Sequence, residues 1–512
     1  MNATLKGTRQ RESYILPSNK RLESNDRLQH AAFLLLQTSL QPFDDWKMNV
    51  TLLSAVEQLA LLEQRKISPL ELADEYIGQI ERINPFLNAI IDFDAERVRS
   101  QAREARFGAL AGLPLTIKSA IAVQGHRCEI GSILNRGNIS ASDAEAVARL
   151  RSHGAMFLGT TNCPEFLMAY ETDNLLYGKT SNPWDLDRTA GGSSGGEAAA
   201  IAAGLSAGGV GSDSGGSVRE PAHFCGICSL KPTPGRVPGR GARPPCIGPF
   251  STLGAVGPMG RTVADVNLFF RLLASQDPID PVSPPVQLRS ISIEDAKPIP
   301  VGWFEDDGLI PVTAETRQAV QDAARALERQ GFTIRPFRPT WLEAARELWW
   351  KFFVQCGAMF YAPTIRGREQ DLSPIFRNFL EIAGSKPPLT AASLLQAWAD
   401  CDLVRAKLLE EMREVPILLT PVCAVPAFRH GEREWRIEGA TVGYLDAMRY
   451  TQWFNVLASP AAVVPVGTSA EGLPIGVQVA GRPFEDETVL AIAAAIELAF
   501  GYRVPPLAGS SS

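Results

Sequence analysis

The 512-residue sequence has no run of the roughly eighteen uninterrupted apolar residues that a membrane-spanning helix needs. Its most apolar segments, 198–211 and 489–500, are short and read as buried helices; the first is rich in small residues and the second carries Glu497. An excess of positive charge is also lacking. Fifty Lys and Arg against 56 Asp and Glu leave a net charge of −6, too little basic field to grip nucleic acid or anionic lipid. Eight cysteines scattered through so long a chain make no disulfide framework, and the N-terminus lacks a basic tip followed by an apolar stretch. A cytoplasmic setting without a secretory signal is the expectation. Hydrophobic residues at 45% and charged residues at 21% are ordinary globular values, which excludes disorder and coiled coil.

What is there is α/β in texture. Residues 1–30 carry six Lys and Arg against three acids with no sustained period, so 1–47 read as an N-terminal extension: a flexible arm, a stretch before an alternative start at Met48, or, less well, a targeting peptide. Helical periods open at 52–64 and again at Pro69. From about 110, strands alternate with helices. The run 113–117 predicts a strand ending at Lys118, and Ser142 with Glu145 predicts a capping box ahead of a helix. Strands follow at 155–159, 332–334, 462–466 and 475–480, with helices around 320–327 and 486–500. Prolines 278, 281, 284, 285, 298 and 300 mark a linker or crossover. No internal repeat is found, and 48–508 read as one domain.

Two glycine- and serine-rich segments dominate: Gly191-Gly192-Ser193-Ser194-Gly195-Gly196-Glu197, and Gly211-Ser212-Asp213-Ser214-Gly215-Gly216-Ser217-Val218-Arg219. Neither ends in the Gly-Lys-Ser/Thr of a phosphate-binding loop. Gly191 to Gly195 spells G-x-S-x-G, but a nucleophile elbow needs an apolar strand before it, and 182–189 is polar with a proline. The five histidines sit in unremarkable settings. A serine without a histidine needs another base. Lysine can serve only when burial and neighbours depress its pKa from about 10.4.

Read with Lys118, Ser193 and Ser217 resemble the amidase signature family. The supporting text is Gly112-Leu113-Pro114-Leu115-Thr116-Ile117-Lys118, then the two blocks above, with agreement also at 161–166 and at 224–233; the last of these resembles the fatty acid amide hydrolase branch. The resemblance runs from about 50 to 500 and is weakest in a substrate-side segment at about 275–440. It implies a mixed, largely parallel twisted sheet sandwiched between helical layers. It also implies a relay in which neutral Lys118 polarises Ser193 and Ser193 deprotonates Ser217, with a cis bond between Gly192 and Ser193. Backbone N–H groups of Ser214, Gly215, Gly216 and Ser217 can form a nest for the oxyanion.

Other residues take supporting parts. Ser194 with Glu197 predicts a capping box for a helix near 195, and Asp213 with Arg219 a structural ion pair stiffening the nucleophile loop. Cys225-x-x-Cys228 beside His223 lacks a second pair, so no metal is expected, and no cofactor. Glu165 and Arg149 read as surface or packing residues. Two departures from the family stand out: Ser119-Ala120 after the lysine, where an acid is common, and Glu220 where an apolar residue is common. The aromatic run Trp341, Trp349, Trp350, Phe352, Phe353, Phe360 and Tyr361 reads as core, as a homodimer contact or as a channel wall for a bulky apolar or aromatic acyl group, with Met168 and Trp453 as further wall residues.

Three functions follow. The first is a standalone amidase hydrolysing small-molecule carboxamides, with esters and carbamates open, through an acyl-enzyme. The second is the glutaminase subunit of a tRNA-dependent amidotransferase. The third, a binding protein on the same scaffold, is opposed by the retention of Lys118, Ser193 and Ser217 together.

Overall fold

Runs of apolar and β-branched residues become strands, and glycine or proline bounds most of them. The computed structural model describes residues 49–105, 108–245 and 248–509; the N-terminal extension read at 1–47 lies outside the described residues. The strands are β1 (Ile90–Phe93), β2 (Pro114–Lys118), β3 (Met156–Thr161), β4 (Ser181–Asn182), β5 (Asp185–Thr189), β6 (Gly208–Asp213), β7 (Cys228–Lys231) and β8 (Ala255–Gly260). There follow β9 (Val301–Trp303), β10 (Ile334–Pro336), β11 (Ile417–Pro421), β12 (Glu434–Ile437), β13 (Ala440–Gly443), β14 (Ala461–Thr468) and β15 (Pro474–Gly481).

Eleven of them form one sheet in the order β1-β3-β2-β6-β8-β7-β14-β15-β11-β9-β10. It is mixed. The centre that carries Lys118, β3-β2-β6, is parallel, and so is β11-β9-β10; the other neighbours run antiparallel. Helices cover both faces. Along a strand successive side chains point to opposite faces. A Cβ on Gly476 of β15 would meet His223 of the helix Arg219–Cys225, whereas one on Gly481 would meet Val489 of the helix Asp486–Phe500.

Helix starts follow local chemistry where the box is complete. Ser68 and Glu71 cap the helix Pro69–Leu87 reciprocally, with proline in its first turn. The box expected at Ser142 and Glu145 does not form. The helix Glu145–Ser152 starts after Ala144 without a side-chain cap, and Asp143 instead accepts from the Gln124 N–H and pairs with Arg151. The segment 198–211 is not one helix either. Its alanines end the helix Gly195–Ala202, Gly204 takes a left-handed φ of 74°, and the glycines enter β6. That strand needs glycine for space: a Cβ on Gly208 would lie 2.3 Å from the Phe269 ring, and one on Gly209 2.3 Å from the Thr116 carbonyl.

The core has two apolar clusters. One is built on the sheet and the helices Pro69–Leu87, Val263–Leu273 and Asp486–Phe500. The other gathers the segment after β10, with the helices Leu342–Trp349, Cys356–Ile365, Pro374–Gly384 and Ala391–Glu411; a wide π turn at Trp350–Gln355 joins the first two. No helix among the described residues is long and apolar enough to cross a membrane.

Candidate active site

Strand β2 is buried along its whole length, the side chain at its C-terminal end included. That side chain is Lys118. Its Nζ donates to Ser193 Oγ at 2.7 Å and to Ser212 Oγ at 3.0 Å. Burial lowers the lysine pKa to about 8, although Cys163, Asp213 and Glu197 pull the other way. Ser212, on the adjacent strand β6, is a contact the sequence reading missed. Alternation along β6 is its only signal: Ser212 and Asp213 point to opposite faces, so one reaches the lysine and the other the loop beyond.

Glu197 also lies elsewhere than expected. Ser194 begins the helix Gly195–Ala202 without a side-chain cap bond. Glu197 instead accepts from Thr116 Oγ1 at 2.6 Å and Thr161 Oγ1 at 2.8 Å, bracing β2 and β3 beneath Lys118. Full burial pushes its carboxyl up to about 7. The short turn before Ser193 has the cis peptide Gly192–Ser193.

Ser217 sits in the loop after β6. Asp213 organises that loop: its carboxylate accepts from the N–H groups of Gly216 (2.9 Å) and Val218 (3.1 Å) and from the Arg219 guanidinium at two points, 2.9 and 3.0 Å. Burial raises the Asp213 pKa, but the charge and hydrogen bonds of Arg219 outweigh it and hold the group below the usual carboxylate range. Arg219 is closed by the Thr451 carbonyl, Gln478 Oε1 and Asn455 Oδ1, all from the C-terminal part of the chain. The ion pair read from the sequence is therefore present and completely buried. One donor of the four-member nest is occupied, because the Gly216 N–H points at Asp213 rather than into the site.

The two serine loops are tied together. Ser194 N–H donates to the Ser217 carbonyl at 3.1 Å, and the Gly192 N–H donates to Glu220 Oε2 at 2.8 Å. Among the described residues no hydrogen bond joins the Ser193 and Ser217 hydroxyls directly; both line one cavity. Glu220 is fully enclosed, and burial, with Glu171 and Asp213 nearby, drives its pKa well above the ordinary value. Glu220 Oε2 is thus the acceptor that anchors Gly192.

Two cavities meet at Ser217 and share Leu167, Met168 and Phe353. The first is apolar, lined by Trp349, Phe353, Phe379 and Met168, with the paired Arg433 and Glu171 at its border. The rings of Trp349 and Phe353 stack at 4.9 Å. The second holds Ser193, Ser212, Ser214 and Arg243. The aromatic segment thus does two of the three jobs open to it: Trp349 and Phe353 wall the cavity, while Phe352 packs on Trp398. Trp453 does not line either cavity; it is core, against Phe304 and Tyr450.

Cys225 and Cys228 turn apart, to the Ala190 carbonyl and to Glu497, and His223 bridges Gly476 N–H and the Val425 carbonyl. Among the described residues no group of three or more His, Cys, Asp or Glu side chains is disposed to hold a metal ion. Glu165 is buried rather than superficial, accepting from Ser132 Oγ and Ser373 N–H.

A protein-family model described as Amidase matches residues 71–490. An acylamidase of Rhodococcus erythropolis is 35% identical over 470 residues, which span 88% of this chain and 96% of that protein. A glutamyl-tRNA(Gln) amidotransferase subunit of Roseiflexus sp. (strain RS-1) is 32% identical over 476 residues, 86% of this chain and 96% of its own. Among solved structures, a bacterial aryl acylamidase described as belonging to the amidase signature enzymes matches with a TM-score of 0.78 at 26% identity, covering 90% of this chain and 99% of that one.

Proposed function

We propose a mechanism from the premise that this chain belongs to the amidase family and hydrolyses amide carbon–nitrogen bonds. Lys118 is the base, Ser193 the relay and Ser217 the nucleophile. The observation that carries this is the 2.7 Å contact from Lys118 Nζ to Ser193 Oγ at a lysine whose pKa is lowered to about 8. Neutral Lys118 takes the Ser193 proton as Ser193 takes that of Ser217, and Ser217 Oγ bonds to the substrate carbonyl carbon. The oxyanion is held by the N–H groups of Ser214, Gly215 and Ser217; Gly216 acts through Asp213, shaping the loop. Ser193 then delivers its proton to the amine nitrogen and regains one from Lys118, the C–N bond breaks, and Ser217 is left acylated. Water gives a proton to Ser193 as Ser193 gives its own to Lys118, its oxygen bonds to the acyl carbon, the bond to Ser217 Oγ breaks with the proton returned through Ser193, and the carboxylate leaves.

The acyl half occupies the apolar cavity, and a bulky apolar or aromatic acyl group fits Trp349, Phe353 and Met168. This favours a standalone amidase. The charged α-groups of glutamine would face an apolar wall whose one ion pair, Arg433 with Glu171, is already closed on itself. We assign the activity to residues 48–508, in the cytoplasm, where the seven free cysteines among the described residues stay reduced. The exposed Leu395, Leu403 and Leu409 of the helix Ala391–Glu411 are offered as a homodimer face. The test is amine release from acyl anilides, aliphatic to aromatic, by wild type and Ser217→Ala without a partner protein. Ser217-dependent turnover favouring aromatic acyl groups supports the reading; turnover of glutamine alone, and only with a partner protein, would reverse it.

A further inference from the structure

The two cavities at Ser217 differ in which hydroxyls they hold. Ser193 and Ser212 line the second and not the first. If Ser193 hands its proton to the departing nitrogen, as the mechanism above has it, the amine half lies in the second cavity. That cavity contains Ser193, Ser214 and Ser217, some apolar wall from Phe250 and Val256, and the exposed Arg243.

Arg243 is set firmly for an exposed residue. Its N–H donates to the carbonyl of Ala120 at 2.7 Å, and Ala242 bridges to Ile121, so its backbone is fixed to the turn that directly follows Lys118. Among the described residues no Asp or Glu lines this cavity, and none makes an ion pair with Arg243. The contrast with Arg433 is direct. Arg433 borders the other cavity and is neutralised there by Glu171, so that side offers a ligand no net charge. Arg243 lines the cavity that holds Ser193 and Ser217, and a guanidinium with no acid paired to it among the described residues presents a planar fork of donors suited to a carboxylate.

We propose that Arg243 receives an anionic group on the amine half of the substrate, so that the preferred amides are those of amines bearing a carboxylate. This rests on the assignment of Ser217 and Ser193 above.

The experiment uses the full chain and one aromatic acyl group joined to 4-aminobenzoate or to its neutral isostere 4-aminobenzamide, each rate taken relative to hydroxide hydrolysis of the same amide. Wild type is expected to favour the carboxylate by roughly tenfold in kcat/KM, the size of one charge-assisted hydrogen bond. The ratio should collapse toward one in Arg243→Met, remain partly in Arg243→Lys, and shrink as salt is raised. Equal rates for the two amides in wild type, or an equal fall for both in Arg243→Met, overturns the role of Arg243 while leaving amide hydrolysis standing. Absence of Ser217-dependent turnover of either, from folded protein, overturns the mechanistic assignment and the inference with it.

Discussion

The indole N–H of Trp349 donates to the carbonyl of Ser214 at 2.9 Å, so a helix of the substrate-side segment is bonded to the loop that holds Ser217. The contact is tight on both sides. A Cβ on Gly215 would lie 2.9 Å from the Trp349 ring, and one on Gly216, at φ 124°, 2.3 Å from Thr451 Oγ1. One side chain thus both walls the apolar cavity and braces the loop that carries Ser217.

Trp349→Phe keeps most of the wall but leaves the Ser214 carbonyl without its donor. The expected result is a loss of about 1–3 kcal/mol in stability and a lower kcat with little change in KM. Thermal melting together with steady-state kinetics on one anilide reads both.

Replacing Lys118 by Met, or either Ser193 or Ser217 by Ala, should each reduce kcat by about 10⁴-fold or more. The proposed relay makes the three one unit, so a double variant should be scarcely worse than the worst single one. Additive losses in a double-mutant cycle would break the relay.

The base must be neutral to act, so the acylation rate should rise about tenfold per pH unit below the Lys118 pKa of about 8 and level off above it. Single-turnover acylation from pH 6 to 10 measures this directly. A profile already flat between pH 6 and 8 would remove Lys118 from the role of base.

Arg219→Met leaves the Asp213 carboxylate buried and unpaired, and should destabilise the fold by about 3–5 kcal/mol. The carboxylate is held low in the native state, so the stability it contributes is present above its unfolded pKa of about 3.9 and fades as pH falls below it. The variant should lose that part of the acid dependence of chemical denaturation.

Glu220 separates charge from hydrogen bonding. Glu220→Gln keeps an acceptor for the Gly192 N–H and removes the cost of a buried charge that raises the native carboxyl's pKa, so it should stay within about 1 kcal/mol of wild type. Glu220→Ala strands that N–H and should cost about 1–3 kcal/mol, with activity falling as the Ser193 turn loosens.

The proposed site was legible as a grouping because its signal is local. A lysine ending an apolar strand and two glycine–serine blocks are continuous text, and the fold brings them to one place: Lys118 reaches Ser193, and the Ser193 and Ser217 loops join through the Ser194 N–H, although no hydrogen bond among the described residues links the two hydroxyls of the expected relay. The α/β class followed from strand and helix periods, and the mixed sheet agrees. Local text misled where tertiary partners outcompeted it. Ser194-x-x-Glu197 reads as a capping box, yet two threonine hydroxyls on neighbouring strands take the Glu197 carboxylate. The supports from Thr451, Asn455 and Gln478 were not legible at all, since each is a single polar residue more than 200 positions from Arg219. Glu220 was noticed as unusual, but only the Gly192 contact says what it does.

The strand order carries a consequence for synthesis. β9 and β10 reach the rest of the sheet only through β11, and β11 only through β15, the last strand made. At about 5–20 residues per second, residues 301–336 therefore leave the ribosome roughly 7–30 s before β15, which links them to the rest of the sheet, is complete. For most of that interval the apolar face of the helix Ala314–Arg329, with Val320 and Leu327, waits for β14 and β15, the strands it packs on. Slowed translation or a short C-terminal truncation should register first as aggregated nascent protein, in chains whose Lys118 and both serines are intact.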